Sequence, residues 1–367
     1  MNQEKNIDVS RYVNSVTWDF MIEIITPAFM HGADSRYIQL RSASFKDNCV
    51  KRYKEARYIQ LRSASFKGLL RYWWRVLYGA KYGDNIRQRE FEIFGSATDE
   101  KKIRAGKSNV QIQISANPKK PIIGYVPFPQ KGKTVINSKP QINPLDYLTY
   151  GIKPKIALLP GTRFNLKLTV KKEYSEEVLQ AFLFLCQYGG IGAKNRNGFG
   201  SLKIITSFPV ASTSGNKIYT APQEQGYSAL SRSSLLFSTK KLFNTWEEAL
   251  LELADIYIDA RRSLDTLHHF ENRGLLARPI ISKKDKIDPF ICRGRHPKFL
   301  IMSVTQSETG KYYGTILTLP IRFSEIEKNK YNKEQSDHNY SNMVKEIHQL
   351  LSQRMTNNTK TLIGESK

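Results

Sequence analysis

The run GGIGAKNRNGFG at 189–200 limits what this chain can fold into more than any other stretch, because five of its twelve residues are glycine. Glycine lets the backbone take positive φ and approach another backbone closely. The preceding residues, 175–188, read as a helix, with Ser175 at its N-cap, Glu176 and Glu177 in the first turn and Gly189 at its end. The following residues, 201–209, read as a strand. The run therefore admits two readings: a flexible turn between helix and strand, or a loop whose exposed N–H groups cradle phosphates. Lys194, Asn195 and Arg196 at its tip would add charge and hydrogen bonds to the second. It is not a Walker loop, since no Gly-Lys-Ser/Thr follows. Nor is it the dinucleotide fingerprint, because Asn195 stands where the third glycine belongs and the loop leaves a helix rather than a strand.

The elements before this joint set its context. Residues 16–26 partly alternate, are rich in β-formers and stop at Pro27, as a strand does. Ser65 is placed to cap a helix over 66–78. Its buried face would be Phe66, Leu69, Leu70, Trp73, Val76 and Leu77. Residues 109–115 (NVQIQIS) alternate strictly, and 159–170 give a turn and then a second alternating strand. The long Pro-, Gly- and Lys-rich stretch 119–154 reads as an irregular insertion. The order strand, helix, strand, strand, helix, strand is that of a split βαβ unit, ferredoxin-like or RRM-like.

The second half repeats this more loosely: a strand near 233–238, a helix from a Thr245/Glu248 capping box, a hairpin of 299–305 with 312–319, and an amphipathic helix 341–355. The expected class is α+β, with two ferredoxin-like units of which the second is incomplete. The expected organisation is a tail 1–15, a first domain 16–210, a linker 211–230, a second domain 231–330 plus helix 341–355, and a tail 356–367.

The formal net charge is +24, so a positive surface must remain on the fold, and nucleic acid is the commonest polyanion such surfaces meet. Eleven Lys and Arg against two acids lie between 36 and 75. Within that stretch RYIQLRSASFK occurs twice, at 36–46 and 57–67. A recent local duplication or an artefact of sequence assembly accounts for this, and the added residues 46–66 are expected to form an exposed loop. On the helix that follows, Lys67, Arg71, Trp74, Arg75 and Tyr78 recur on the side away from the apolar face. Cations interleaved with flat rings suit single-stranded nucleic acid, the charge following the backbone and the rings stacking on bases. The alternative is a solvated basic face on which Trp74 packs against the insertion or a partner. The segment 273–298, with Arg293 and Arg295 among its cations, reads either as a phosphate-binding stretch or as a solvated charge run.

Other chemistries are poorly supported. Cys49, Cys186 and Cys292 are far apart, which excludes a disulfide framework and a cysteine-rich zinc site. The histidines show no metal spacing. No metal and no cofactor are expected. His31 near Asp34 is a candidate acid/base pair for RNA cleavage. The start of the chain is polar and no run approaches the ~20 apolar residues of a membrane span, so a cytoplasmic protein with no membrane partner is expected.

ITPAFMHGAD (25–34), LRSASFKGLLRYWWR (61–75), FEIFGS (91–96), LPGTRFNLKL (159–168) and GGIGAKNRNGFGSL (189–202) follow one another in an order that resembles the RAMP superfamily of CRISPR effector proteins. More specifically it resembles the family of the first RAMP subunit of the type III-B Cmr complex. GRHPKFLIMSV and GKYYGTILTLP fit that family's C-terminal domain. Two departures stand out: His31 occupies a usual glycine position, and the duplication separates GAD from its SxKG partner. The second copy of the repeat is taken as the family position. The resemblance implies two ferredoxin-like domains and a role without nuclease chemistry. The partners it implies are guide RNA near its 3′ region, target RNA and other RAMP subunits. It carries RNA contact onto Arg62, Ser65, Lys67, Arg71, Trp74 and Arg75, and onto Gly190, Gly192, Lys194, Asn195, Arg196 and Phe199. The competing readings are a metal-independent RAMP endoribonuclease and a protein-interaction scaffold that hardly touches RNA.

Overall fold

The computed structural model describes residues 14–30, 61–96, 106–116, 121–126, 143–152, 155–211, 218–264, 271–277, 296, 298–322 and 333–362. The first strand, β1 (Ser15–Ile24), buries Trp18, Phe20, Ile22 and Ile24 on one face and turns Thr17, Asp19, Met21 and Glu23 the other way. Then come α1 (Ser63–Tyr82), α2 (Ile86–Phe94), β2 (Val110–Ala116), β3 (Ile123–Tyr125), α3 (Pro144–Leu148) and β4 (Ile156–Leu158). β5 (Arg163–Lys171) alternates like β1, with Phe164, Leu166, Leu168 and Val170 inward. α4 (Ser175–Tyr188) and β6 (Leu202–Phe208) complete the first half.

Four of these strands form one antiparallel sheet in the order β2-β5-β1-β6, with Phe20 opposite Leu166 in the β1–β5 register, while β3 and β4 pair with each other as a separate ribbon. α1 and α4 cover its apolar face. The ring centroids of Phe20 and Phe182 are 4.5 Å apart, and those of Phe66 and Phe164 are 5.7 Å apart. Each such side chain taken fully out of water contributes about 1.5–3 kcal/mol, so the alternation alone fixes which face the helices occupy.

The second half contains β7 (Leu236–Ser238), α5 (Trp246–Ser263), α6 (Glu271–Leu276), β8 (Leu300–Gln306), β9 (Tyr312–Thr318), α7 (Lys333–Arg354), β10 (Thr356–Asn357) and α8 (Thr359–Leu362). The Thr245/Glu248 capping box is present at the start of α5. This second sheet is also four-stranded and antiparallel, in the order β10-β7-β9-β8. The expectation of an incomplete second unit is therefore corrected. Thr356 and Asn357, expected in a tail, pair with Ser238 and Phe237 as an edge strand. Two residues carry no periodicity, which is why the pattern did not mark them.

Three further expectations change. α1 begins at Ser63 with Arg62 at its N-cap, so Ser65 lies inside the first turn rather than capping it. Residues 31–60, including His31, Asp34 and the first repeat copy, lie outside the described residues. The end of the expected loop 46–66 is described: Ser63–Phe66 are helical, and Phe66 is buried. The expected linker 211–230 packs on α1 where it is described. There the Leu230 amide donates to the Val76 carbonyl at 2.9 Å, and the Tyr227 hydroxyl to the Gly79 carbonyl at 3.4 Å.

The aromatic part of the expected RNA-facing side of α1 is core. Trp74 and Tyr78 are 0% and 4% exposed. Trp74 Nε1 donates to Glu177 Oε2 at 3.0 Å, Tyr78 hydrogen-bonds Gln180, and Tyr82 and Lys81 also donate to Glu177. The amphipathic reading failed because α4 covers a wider arc of α1 than one apolar stripe. The polar edges of Trp74 and Tyr78 find partners on α4, so both rings can be buried. Trp74→Ala should lower folding stability by about 3–5 kcal/mol, read from the shift of the urea midpoint.

Candidate nucleic-acid interface

The cations expected on α1 are only partly available. Glu90 is buried, and it takes Arg71 Nε at 2.9 Å and Arg75 Nη1 at 3.1 Å. Arg71 Nη2 also donates to the Gly95 carbonyl at 3.1 Å. These two arginines fasten α2 to α1. Arg62 and Ser65 are exposed at the start of the helix, and Lys67 is half-buried one turn further on. Burial, then the neighbouring Arg71 charge, pushes the Lys67 amine below its ordinary range.

The glycine run does close-approach chemistry, but toward the protein itself. Gly200 has φ +70°, and a Cβ there would lie 2.0 Å from the Ile191 carbonyl oxygen. Gly192 has φ +80°, with the Phe29 carbonyl oxygen 2.7 Å from where its Cβ would be. Gly190 is buried, and its carbonyl accepts from Asn195 Nδ2 at 3.2 Å. Phe199 is 0% exposed and packs on Phe29 at 5.3 Å, so its expected place against RNA is corrected. A flexible turn is likewise excluded, since the run is knitted into four surrounding elements. Ala193 pairs with Phe29 just after β1, and the Gly200 amide donates to the Pro27 carbonyl. Asn197 pairs with Met302 of β8, and its Nδ2 donates to the Leu148 carbonyl of α3 at 2.7 Å. Gly189 leaves no room for a Cβ beside Trp73 of α1.

One polar chain crosses from the first sheet to the second. The Thr26 hydroxyl donates to the Gly198 carbonyl at 2.8 Å and accepts from the Ser201 amide at 2.9 Å. The Ser201 hydroxyl donates to Gly198 at 3.2 Å and accepts from the Val304 amide at 3.0 Å. All of this lies in buried surroundings, where an unmade hydrogen bond is costly.

The tip of the loop faces the seam between the two units. Lys194 has φ +62° and is half-buried, and burial lowers its amine below the ordinary range. Arg196 stacks 4.9 Å above the Tyr72 ring and donates from Nη1 to the Lys298 carbonyl at 2.9 Å. Lys298 is buried, its Nζ 4.1 Å from the centroid of Tyr257 on α5. Burial pushes its amine well down, and Arg196, Arg261 and Lys194 push it further. Arg261 at the end of α5 lies 5.9 Å from the Tyr147 ring of α3.

Loop, α5 and the segment just before β8 thus bring four cations together among tyrosines. Tyr72, one residue beyond Arg71, joins this group to the α1 cations. Arg261, Tyr72 and Tyr257 escaped the sequence reading because helical spacing places all three on ordinary helix faces. The pair Arg261-Arg262 closing an acidic-start helix was the available signal. Arg293 and Arg295 lie outside the described residues. Among the described residues, no cluster of His, Cys, Asp or Glu could hold a metal ion, and no helix is long and apolar enough to cross a membrane.

Residues 21–203 match the family model of the RAMP superfamily, and the chain belongs to that superfamily. It is 29% identical over 197 residues to the CRISPR system Cmr subunit Cmr1-2 of Pyrococcus furiosus, a match covering 50% of this chain and 93% of that one. Its fold is like that of the crystal structure of Cmr1 from Pyrococcus furiosus in apo form. There the TM-score is 0.56 at 18% identity, over 94% of this chain and 98% of the other.

Two glycine substitutions should separate the loop from an ordinary helix position. Gly200→Ala forces a left-handed alanine into the Ile191 carbonyl and should cost about 3 kcal/mol or more of stability. Gly68→Ala, in α1 with open space around its Cβ, should raise stability by about 0.5–1 kcal/mol. Thermal melts of both variants against the parent check this.

Proposed function

We propose that this chain is a non-catalytic RNA-binding subunit of a type III-B CRISPR effector complex, the Cmr complex. In that role it contacts the 3′ region of the guide RNA and target RNA, assembles with other RAMP subunits and acts in the cytoplasm in antiviral defence. The observation that carries the reading is the match to a Cmr subunit across 93% of that relative's length. The topology supports it. With α2, β3, α3, β4 and α6 set aside as insertions, both halves run strand, helix, two strands, helix, strand, with the first strand of each four-stranded sheet between its third and fourth. We read both as ferredoxin-like split βαβ units.

The mechanism is capture of the phosphate backbone by charge and shape, sequence being left to base pairing between guide and target. Arg62, Ser65 and Lys67 offer one accessible group. Lys194 and Arg196 at the loop tip, with Arg261 and Lys298 behind them, offer the second. Arg71 and Arg75 act mainly by holding the first group in place, each already committed to Glu90. Trp74 and Phe199 support the interface from within the core. The guanidinium stacked on Tyr72 presents a flat cation of the kind that tolerates any base sequence.

A salt titration of RNA binding tests this directly. If the chain neutralises about five phosphates of a single strand, log K should fall against log salt with a slope near about −3.5. Arg62→Glu combined with Lys67→Glu should weaken binding and flatten that slope, and the RNA should stay intact with or without EDTA. A slope near zero, or discrete cleavage products, would refute the reading.

A further inference from the structure

Among the described residues, three buried side-chain atoms lack any hydrogen-bond partner: Tyr72 Oη, Arg89 Nε and Lys298 Nζ. Two of them flank Arg196, whose guanidinium covers the Tyr72 ring and donates to the Lys298 backbone. The charges acting on the Lys298 amine come from Lys194 and Arg196 of the loop and from Arg261 of α5, and all are positive. The other described groups around this seam are neutral or cationic as well. Tyr257 lies under the amine, Tyr147 faces Arg261, and Arg273 donates to the Arg261 carbonyl at 3.1 Å.

The contrast with α1 is informative. There three partly buried cations reach a carboxylate: Arg71 and Arg75 reach Glu90, and Lys81 reaches Glu177. At the seam, among the described residues, no carboxylate acts on Lys298. A cation–π contact with Tyr257 offsets part of the desolvation but supplies no acceptor for the amine protons. Buried polar groups are satisfied as a rule, and each exception asks for the group that completes it. Here the missing component is an anion with several acceptor oxygens, reachable from amine, guanidinium and hydroxyl at once.

We propose that Lys194, Arg196, Arg261 and Lys298 form a seat for one phosphate group of bound RNA, which the Lys298 amine and the Tyr72 hydroxyl complete when the phosphate replaces the Tyr257 contact. This rests on the RNA-binding reading above. It carries a further consequence. Burial favours the neutral amine in the free protein, and an adjacent phosphate favours the charged one, so RNA binding draws in a proton. The sign follows: affinity falls as pH rises, over the interval between the free and bound values of this amine.

The test is calorimetric titration of the full chain with a single-stranded RNA oligonucleotide, in buffers of different ionisation enthalpy, from about pH 7 to about pH 9. The parent protein should take up protons on binding and bind more weakly as pH rises. Lys298→Met keeps the volume and removes the amine. It should bind about tenfold more weakly, lose the proton uptake and show a salt slope shallower by about 0.7. Arg261→Gln, which leaves the amine in place, should weaken binding but keep the uptake, and it stands in should the methionine variant fail to fold.

A second arm follows the melting temperature with inorganic phosphate. Equal RNA affinity and equal proton uptake in parent and both variants would overturn the seat while leaving the RNA-binding reading intact. No RNA binding by the parent, with phosphate stabilising the parent but not Lys298→Met, would overturn RNA as the occupant and leave free phosphate. No response to either ligand would overturn both.

Discussion

The structure depends on a close passage of backbone over backbone in the loop between α4 and β6. At Gly200 the chain runs so near the Ile191 carbonyl that no side chain fits. That approach lets the Thr26 and Ser201 hydroxyls reach Gly198, and lets Ser201 reach across to the Val304 amide. Through these few bonds the end of β1, the loop and β8 share one buried polar network. Remove the approach and the two sheets lose their register against each other. The loop tip, with Lys194 and Arg196, then has nothing to hold it toward the seam.

Charge is handled differently in two places. Along α1 the inward cations are answered by Glu90 and Glu177, so they act as structural rivets. At the seam cations face tyrosines and one another. A strongly positive chain has to put its surplus somewhere, and burying part of it next to a rigid loop preorganises a field that a flexible surface lysine cannot provide.

Much of the fold was legible in the sequence. β5 alternates cleanly and β1 in part, α4 spans its expected residues with Tyr174 rather than Ser175 at its N-cap, and the Thr245/Glu248 box forms as its spacing requires. Of the motifs behind the RAMP resemblance, the five between 25 and 202 lie inside the family match at 21–203, and the two C-terminal stretches lie outside it. The site was less legible, for a physical reason. Helical spacing gives direction from the axis, but not how wide an arc a neighbouring helix covers. Trp74 therefore read as a surface platform while Glu177, more than a hundred positions away, drew its indole inward. Likewise a glycine cluster signals close approach without saying to what; two of these glycines lie against the carbonyls of Phe29 and Ile191. Two-residue β10 lies below the length at which any periodicity exists.

The β1–β5 pairing joins residues far apart along the chain: Glu23 meets Arg163 across 140 positions. On the ribosome β1 emerges first, and both of its neighbouring strands are made much later. At roughly 5–20 residues per second, about seven to thirty seconds pass before β5 can reach it. Throughout that time Trp18, Phe20, Ile22 and Ile24 form an apolar strand with two open edges. The polar and charged residues on its other face, Thr17, Asp19 and Glu23, interrupt that apolar run, and charge of this kind disfavours pairing at an unprotected edge.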